Sequence, residues 1–173
     1  MVKGNRRFIF PRFMPIVLLL SMLGCAPVIS KQIREQVKPD ITPEAVLSDP
    51  EHYKGEMIVI SGIIIEAENT KEETLLKILQ RPAGSRGKPK DVDVSGGRFL
   101  AIVDHYLDPV LYSKDRAVTI GGEVQGTRIL PLGEIQYTYP VVNVKEIYLW
   151  PVEKQYYSPS PSFHIGFGLG YFH

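Results

Sequence analysis

The chain has 173 residues, 44% hydrophobic and 23% charged, an ordinary balance for a globular protein that excludes coiled coil, collagen and wholesale disorder. Its formal charge of +1 hides an asymmetry: Lys3, Arg6, Arg7 and Arg12 precede residue 25, and no acid does. From there on, sixteen basic residues face 19 acidic ones, near −3, so the electrostatic footprint of a nucleic-acid partner is absent.

In chain order, a basic stretch over 3–12 is followed by an apolar run of about 11 residues, 13–23, and then by Gly24-Cys25-Ala26. That is the layout of a secretory signal. The run falls short of the roughly 20 apolar residues a spanning helix needs. Met22-Leu23-Gly24-Cys25 resembles a bacterial lipobox. Met22 stands where an aliphatic residue is usual and Leu23 where a smaller one is common; Gly24 and Cys25 fit. The resemblance implies cleavage before Cys25, a diacylglycerol on its thiol and an N-acyl chain on its new amino group. Several acyl chains exceed the two-signal threshold for stable membrane attachment. Ala26 in place of an aspartate points, by analogy with enterobacterial lipoproteins, to the outer membrane; the periplasmic side is the face expected. Cys25 is the one cysteine, so an internal disulfide is impossible and a thiolate metal cluster is not expected.

The expected division is a signal peptide over 1–24, a lipidated tether over 25–42, a β-domain over 43–153 and a Gly/aromatic-rich tail over 154–173. Thr42-Pro43-Glu44 reads as a helix start and Asp49-Pro50 as its end, giving a short helix near 43–48. Five strands follow: the β-branched run 57–65, with Gly62 marking a bulge or sharp coil, then 73–81, 98–104, 116–125 and 139–150. A Gly/Pro-rich loop spans 82–97, and 105–114 is a connection. The fold class is mainly β: a small five-stranded OB-like barrel with one short N-terminal helix, a β-sandwich being the alternative. In the tail, Phe163, Ile165, Phe167, Leu169 and Tyr171 alternate with small or polar residues, a strand-like period.

Chemistry is sparse. Asp104-His105 with Asp108 near a strand end is the nearest thing to an acid–base set, and one His on a loop reads as surface and turn chemistry instead. His52 and His164 are isolated, and no spacing suggests a metal site. Neither G-x-S-x-G nor a P-loop is present, so no catalytic residue is assigned and the chain is read as non-enzymatic. Glu66, Glu68, Glu72 and Glu73 read as a solvated acidic edge. Arg81, Arg86, Lys88, Lys90 and Arg98 place five cations within 18 residues, diluted by Asp91 and Asp93. Such a loop suits phosphates of lipopolysaccharide or anionic lipid. Tyr137, Tyr139 and Tyr148 offer stacking surface for an envelope glycan if they share one exposed face.

The ordered set of features resembles the Slp family of Gram-negative outer-membrane lipoproteins, the starvation-inducible group. The matching stretches are Leu23-Gly24-Cys25, Tyr53-Lys54-Gly55 leading into the Ile/Val strand, and Gly97-Arg98-Phe99-Leu100-Ala101. Tyr106-Leu107-Asp108-Pro109-Val110 follows, then the 118–126 strand, then Tyr137 through Trp150. The resemblance covers roughly residues 16–153 and leaves out the tail. It implies an envelope location and a link to stress or starvation; the expected partners are the membrane, through the lipid on Cys25, and envelope proteins or lipopolysaccharide. It carries no catalytic residues.

Overall fold

The computed structural model describes residues 26–152; the leader, Cys25 and the tail lie outside the described residues. Among the described residues, two short helices precede the sheet: α1 (Lys31–Arg34) and α2 (Pro43–Ser48). In α2 the Thr42 hydroxyl accepts from Ala45 N at 3.2 Å and Pro43 opens the first turn. Five strands follow: β1 (Met57–Asn69), β2 (Thr74–Gln80), β3 (Arg98–Val103), β4 (Ala117–Leu132) and β5 (Ile135–Leu149).

The strands close into a barrel in the order β1-β2-β3-β5-β4. All pairings are antiparallel except β3 with β5. Five strands in this order form the OB-type barrel rather than a sandwich. Closure works because β1 bends. Its first half pairs with β4 and its second half with β2, and Gly62 stands opposite both Val118 and Gln80. Gly62 is not itself a bulge; the register shift falls at Ile65. What Gly62 supplies is room: a Cβ there would lie 2.4 Å from the Leu79 carbonyl oxygen.

Side chains of opposite parity serve opposite faces. Ile58, Ile60 and Ile64 point inward with Leu76, Ile78, Phe99, Ala101, Val103, Val118, Ile120, Val124 and Val142, forming the main core. Val46 of α2 and Leu107 and Tyr112 of the 104–116 connection pack onto it. A second, outer cluster gathers Leu100, Tyr139 and Val141, with Leu75, Ile102, Leu130 and Tyr137 against them.

Three expectations change. β1 runs on through the polar stretch 66–69, past its expected end at 65, and the turn falls at 70–73, where the Thr70 hydroxyl accepts from Glu72 N and Glu73 N. β4 and β5 run well past the expected strand, to a hairpin at Leu132–Ile135, because their register persists through Pro131↔Gln136 and Leu132↔Ile135. Residues 26–42, expected to be a tether, are laid onto the barrel. Ile29 is 2% exposed and Ile41 is buried, and Ser30 N donates to both carboxylate oxygens of Glu146 at 3.0 Å. A polar composition concealed two apolar anchor residues.

Candidate functional site

The Gly/Pro-rich segment after β2 is a built structure. Lys90 N donates to Pro82 O at 2.9 Å and Gly84 N to Lys88 O at 2.6 Å, and Ala83 bridges Pro89. Arg86 sits at the apex at φ 60, a left-handed conformation uncommon outside glycine. The segment lies on the outer face of β1 and β4, where the Gly87 carbonyl accepts from the Ser61 and Thr119 hydroxyls, each at 2.7 Å. Trp150 Nε1 donates to Thr119 Oγ1 at 2.9 Å. Buried hydroxyls on a strand are costly unless bonded; here each is satisfied, and together they pin the loop.

Between this loop and the exit of β5 lies an open cleft lined by Ile63, Arg81, Lys88, Pro89, Lys90, Asp91, Asp115, Arg116, Ala117 and 150–152. A neighbouring cleft is lined by Ser85, Arg86, Lys88, Tyr148, Trp150 and Pro151. Of the five predicted cations, the structure thus gathers Arg81, Arg86, Lys88 and Lys90. Arg98 is elsewhere, at the start of β3 opposite Leu79, where its backbone N donates to the Tyr137 hydroxyl at 3.3 Å. Arg81 braces the loop through the carbonyls of Val92 and Val94. The Lys88 ammonium lies 6.0 Å from the Trp150 ring centroid.

Sequence reasoning missed Arg116. It sits just before β4, donating to Leu111 O at 2.8 Å and Trp150 O at 3.0 Å. Its Nε is buried without a hydrogen-bond partner among the described residues. Only the pairing of β4 with β1 and β5 brings residue 116 beside residue 81, so no local pattern marked it.

The tyrosines do not form one stacking face. Tyr139 is buried in the outer cluster, edge-on to Tyr137 at 4.6 Å, while Tyr148 packs edge-on to Trp150 at 4.9 Å on the basic side. In OB folds the β2–β3 face and its flanking loops carry ligands. Here that face is filled by the protein's own Tyr139, Val141 and Leu130.

Asp104 and His105 meet at 2.9 Å, both exposed, and the bond from the imidazole holds the Asp104 carboxyl below its usual range. Asp108 faces a different task, its carboxylate accepting from Val110 N at 2.8 Å in a turn. His52 lies edge-on to Tyr53. Among the described residues no group of three His, Cys, Asp or Glu side chains is placed to hold a metal. Of the acidic run, Glu66 pairs with Lys77 at 2.8 Å and Glu73 with Arg128 at 3.8 Å. No helix among the described residues is long and apolar enough to cross a membrane.

The N-terminal strap reaches this same pole. Val28 N donates to Arg86 O at 3.2 Å, and Arg86 Nε donates to Ala26 O at 3.2 Å. A small barrel whose first described residue is fastened to its basic loop, directly after Leu23-Gly24-Cys25, matches a known pattern along nearly its whole length. The model of the outer membrane lipoprotein Slp family matches residues 22–171. The chain belongs to that family. This Slp-family chain is 34% identical over 139 residues to "Outer membrane protein Slp" of Escherichia coli K12, spanning 78% of this chain and 73% of that protein. It is 28% identical over 156 residues to lipoprotein YeaY of the same organism, spanning 88% and 80%. Membership assigns it to the outer membrane. Among solved structures it is similar to the mitochondrial single-stranded DNA-binding protein Rim1 of S. cerevisiae, 16% identical with a TM-score of 0.33, covering 56% of this chain and 95% of that one. A small single-stranded DNA-binding protein of Streptomyces coelicolor scores 0.35 at 11% identity, covering 55% and 94%. The strand order of the Slp-family barrel itself carries the fold assignment.

Proposed function

We propose that this Slp-family protein is held on the periplasmic side of the outer membrane by a diacylglycerol and an N-acyl chain on Cys25, after loss of residues 1–24, and works there without chemistry of its own. Its role is structural and stress- or starvation-linked, through position and contact with envelope proteins. The observation that carries the reading is the fastening of Ala26 and Val28 to Arg86, which brings the residue after Cys25 onto a folded barrel instead of a slack linker. Absence of an enzymatic role is supported by the exposure of His105 and its engagement with Asp104 alone among neighbouring acids. The alternative, a module that stacks an envelope glycan on Tyr137, Tyr139 and Tyr148, loses support because Tyr139 is internal and Tyr148 lies with Trp150. Metabolic labelling with palmitate tests the anchor. Wild type takes up label and fractionates with outer membranes, and Cys25→Ser does neither. Equal labelling of both removes the proposal.

A further inference from the structure

Residues 26–34 make a short, bonded leash. Consecutive Cα atoms are about 3.8 Å apart, so covalent geometry alone keeps Cys25 next to Ala26, whose carbonyl is bonded by the Arg86 guanidinium. Ile29 is buried and Ser30 is bonded to Glu146, so the barrel cannot turn away from residue 25 without breaking both. Acyl chains entering a leaflet from that point bring the phosphates of neighbouring lipids to the same pole. There the loop presents Arg86 and Lys90, both exposed, beside Arg81 and Arg116, against Asp91 and Asp115 of the cleft and Asp93 between the two carbonyls that Arg81 bonds. Lysine and arginine near an anionic leaflet are attracted to it within about a Debye length, roughly 8 Å at physiological salt.

We infer that the pole formed by Arg81, Arg86, Lys90 and Arg116 lies on the leaflet that takes the acyl chains and binds the phosphates of its anionic glycerophospholipids. The β4–β5 hairpin then points away. From Leu149 back to Ile135 the strand covers about 45 Å of contour at about 3.3 Å per residue. The inference rests on Cys25 being the lipidated residue, and its test separates the two.

Trp150, the one tryptophan of the chain, sits in this pole and reports on it. The lipidated full-length protein is reconstituted into vesicles of phosphatidylcholine, alone or with phosphatidylglycerol, each containing nitroxide-headgroup lipid. Sedimentation with both kinds of vesicle verifies the anchor. Trp150 emission should then be quenched about two-fold more on the anionic vesicles, an excess removed by high salt. A Trp150→Phe, Ile135→Trp double variant should be little quenched on either. Lys90 makes no side-chain hydrogen bond or ion pair among the described residues, so its replacement leaves the loop intact. Lys90→Gln should shrink the excess and Lys90→Glu abolish it, with circular dichroism unchanged. A protein that sediments with both vesicles but shows equal quenching of positions 150 and 135, or no response to Lys90→Glu, overturns the pole and leaves the anchor standing. One that sediments with neither overturns both.

Discussion

At the scale of single residues, close approach and buried hydroxyls decide what the barrel tolerates. Gly62 faces backbone as well as a core side chain, with the Leu79 carbonyl oxygen 2.4 Å and the buried Ile78 Cγ2 2.6 Å from where a Cβ would stand. Gly62→Ala should therefore lower stability by about 2–3 kcal/mol, seen as a lower thermal or urea midpoint. Thr119 is both donor to Gly87 O and acceptor from Trp150 Nε1. Thr119→Val keeps its shape but strands a buried indole N–H, which costs about 1–3 kcal/mol. Trp150 emission should shift with it, and an unchanged spectrum would argue against the bond. Asp104 carries the pH prediction. A carboxyl held below its ordinary pKa in the fold stabilises above its unfolded pKa and loses that contribution as pH falls through the folded value. Both partners are exposed, so His105→Gln should return the Asp104 carboxyl toward its ordinary range in an NMR titration without moving the neutral-pH melting curve.

At the scale of elements, the N-terminal strap and the β4–β5 arm are the parts added to a plain barrel. The strap fits because Gly121 leaves a shallow seat: a Cβ there would stand 2.6 Å from Ile33 and 3.1 Å from Ile29. Those are side chains, which can yield, so a larger residue at Gly121 displaces α1 instead of breaking the barrel. Gly121→Leu or Glu146→Ala should speed tryptic cleavage at Lys31 and Arg34 while the barrel keeps its melting transition. Cleavage at the wild-type rate would show that the strap is held by other means. The arm is held by Tyr139, 1% exposed against Leu100 and Val141. Tyr139→Ala should cost about 3 kcal/mol and raise hydrogen exchange through Thr127–Thr138. The arm thereby closes the face on which an OB-type barrel would otherwise take a ligand.

At the scale of the whole molecule, chain order and spatial order part company. The sequence neighbours β3 and β4 are not paired; β5 comes between them, parallel to β3. The 104–116 connection consequently crosses an open end of the barrel and stops it with Leu107 and Tyr112. The same arrangement brings the start of β4, the end of β5, the basic loop and the N-terminal strap to one pole, although the strap begins at Ala26 and β5 ends only at Leu149. A polarised molecule results: cations and the residue next to Cys25 gather at one end, and an exposed hairpin carrying Ile129 and Ile135 stands at the other.

The elements themselves were legible in residues 43–152. The Thr42-Pro43 cap, the β-branched run after Gly55 and the cations clustered between 81 and 90 are local patterns, set by backbone sterics, apolar parity and charge that neighbouring residues share. What only the tertiary structure decided is what meets what. Arg116 joined the cleft, Arg98 left it, Tyr139 went inside instead of onto a binding face, and Ile29 turned an apparent tether into a strap. Each of these depends on a pairing register or on a groove opened by Gly121, and such contacts are made between distant segments whose local composition carries no trace of the partner.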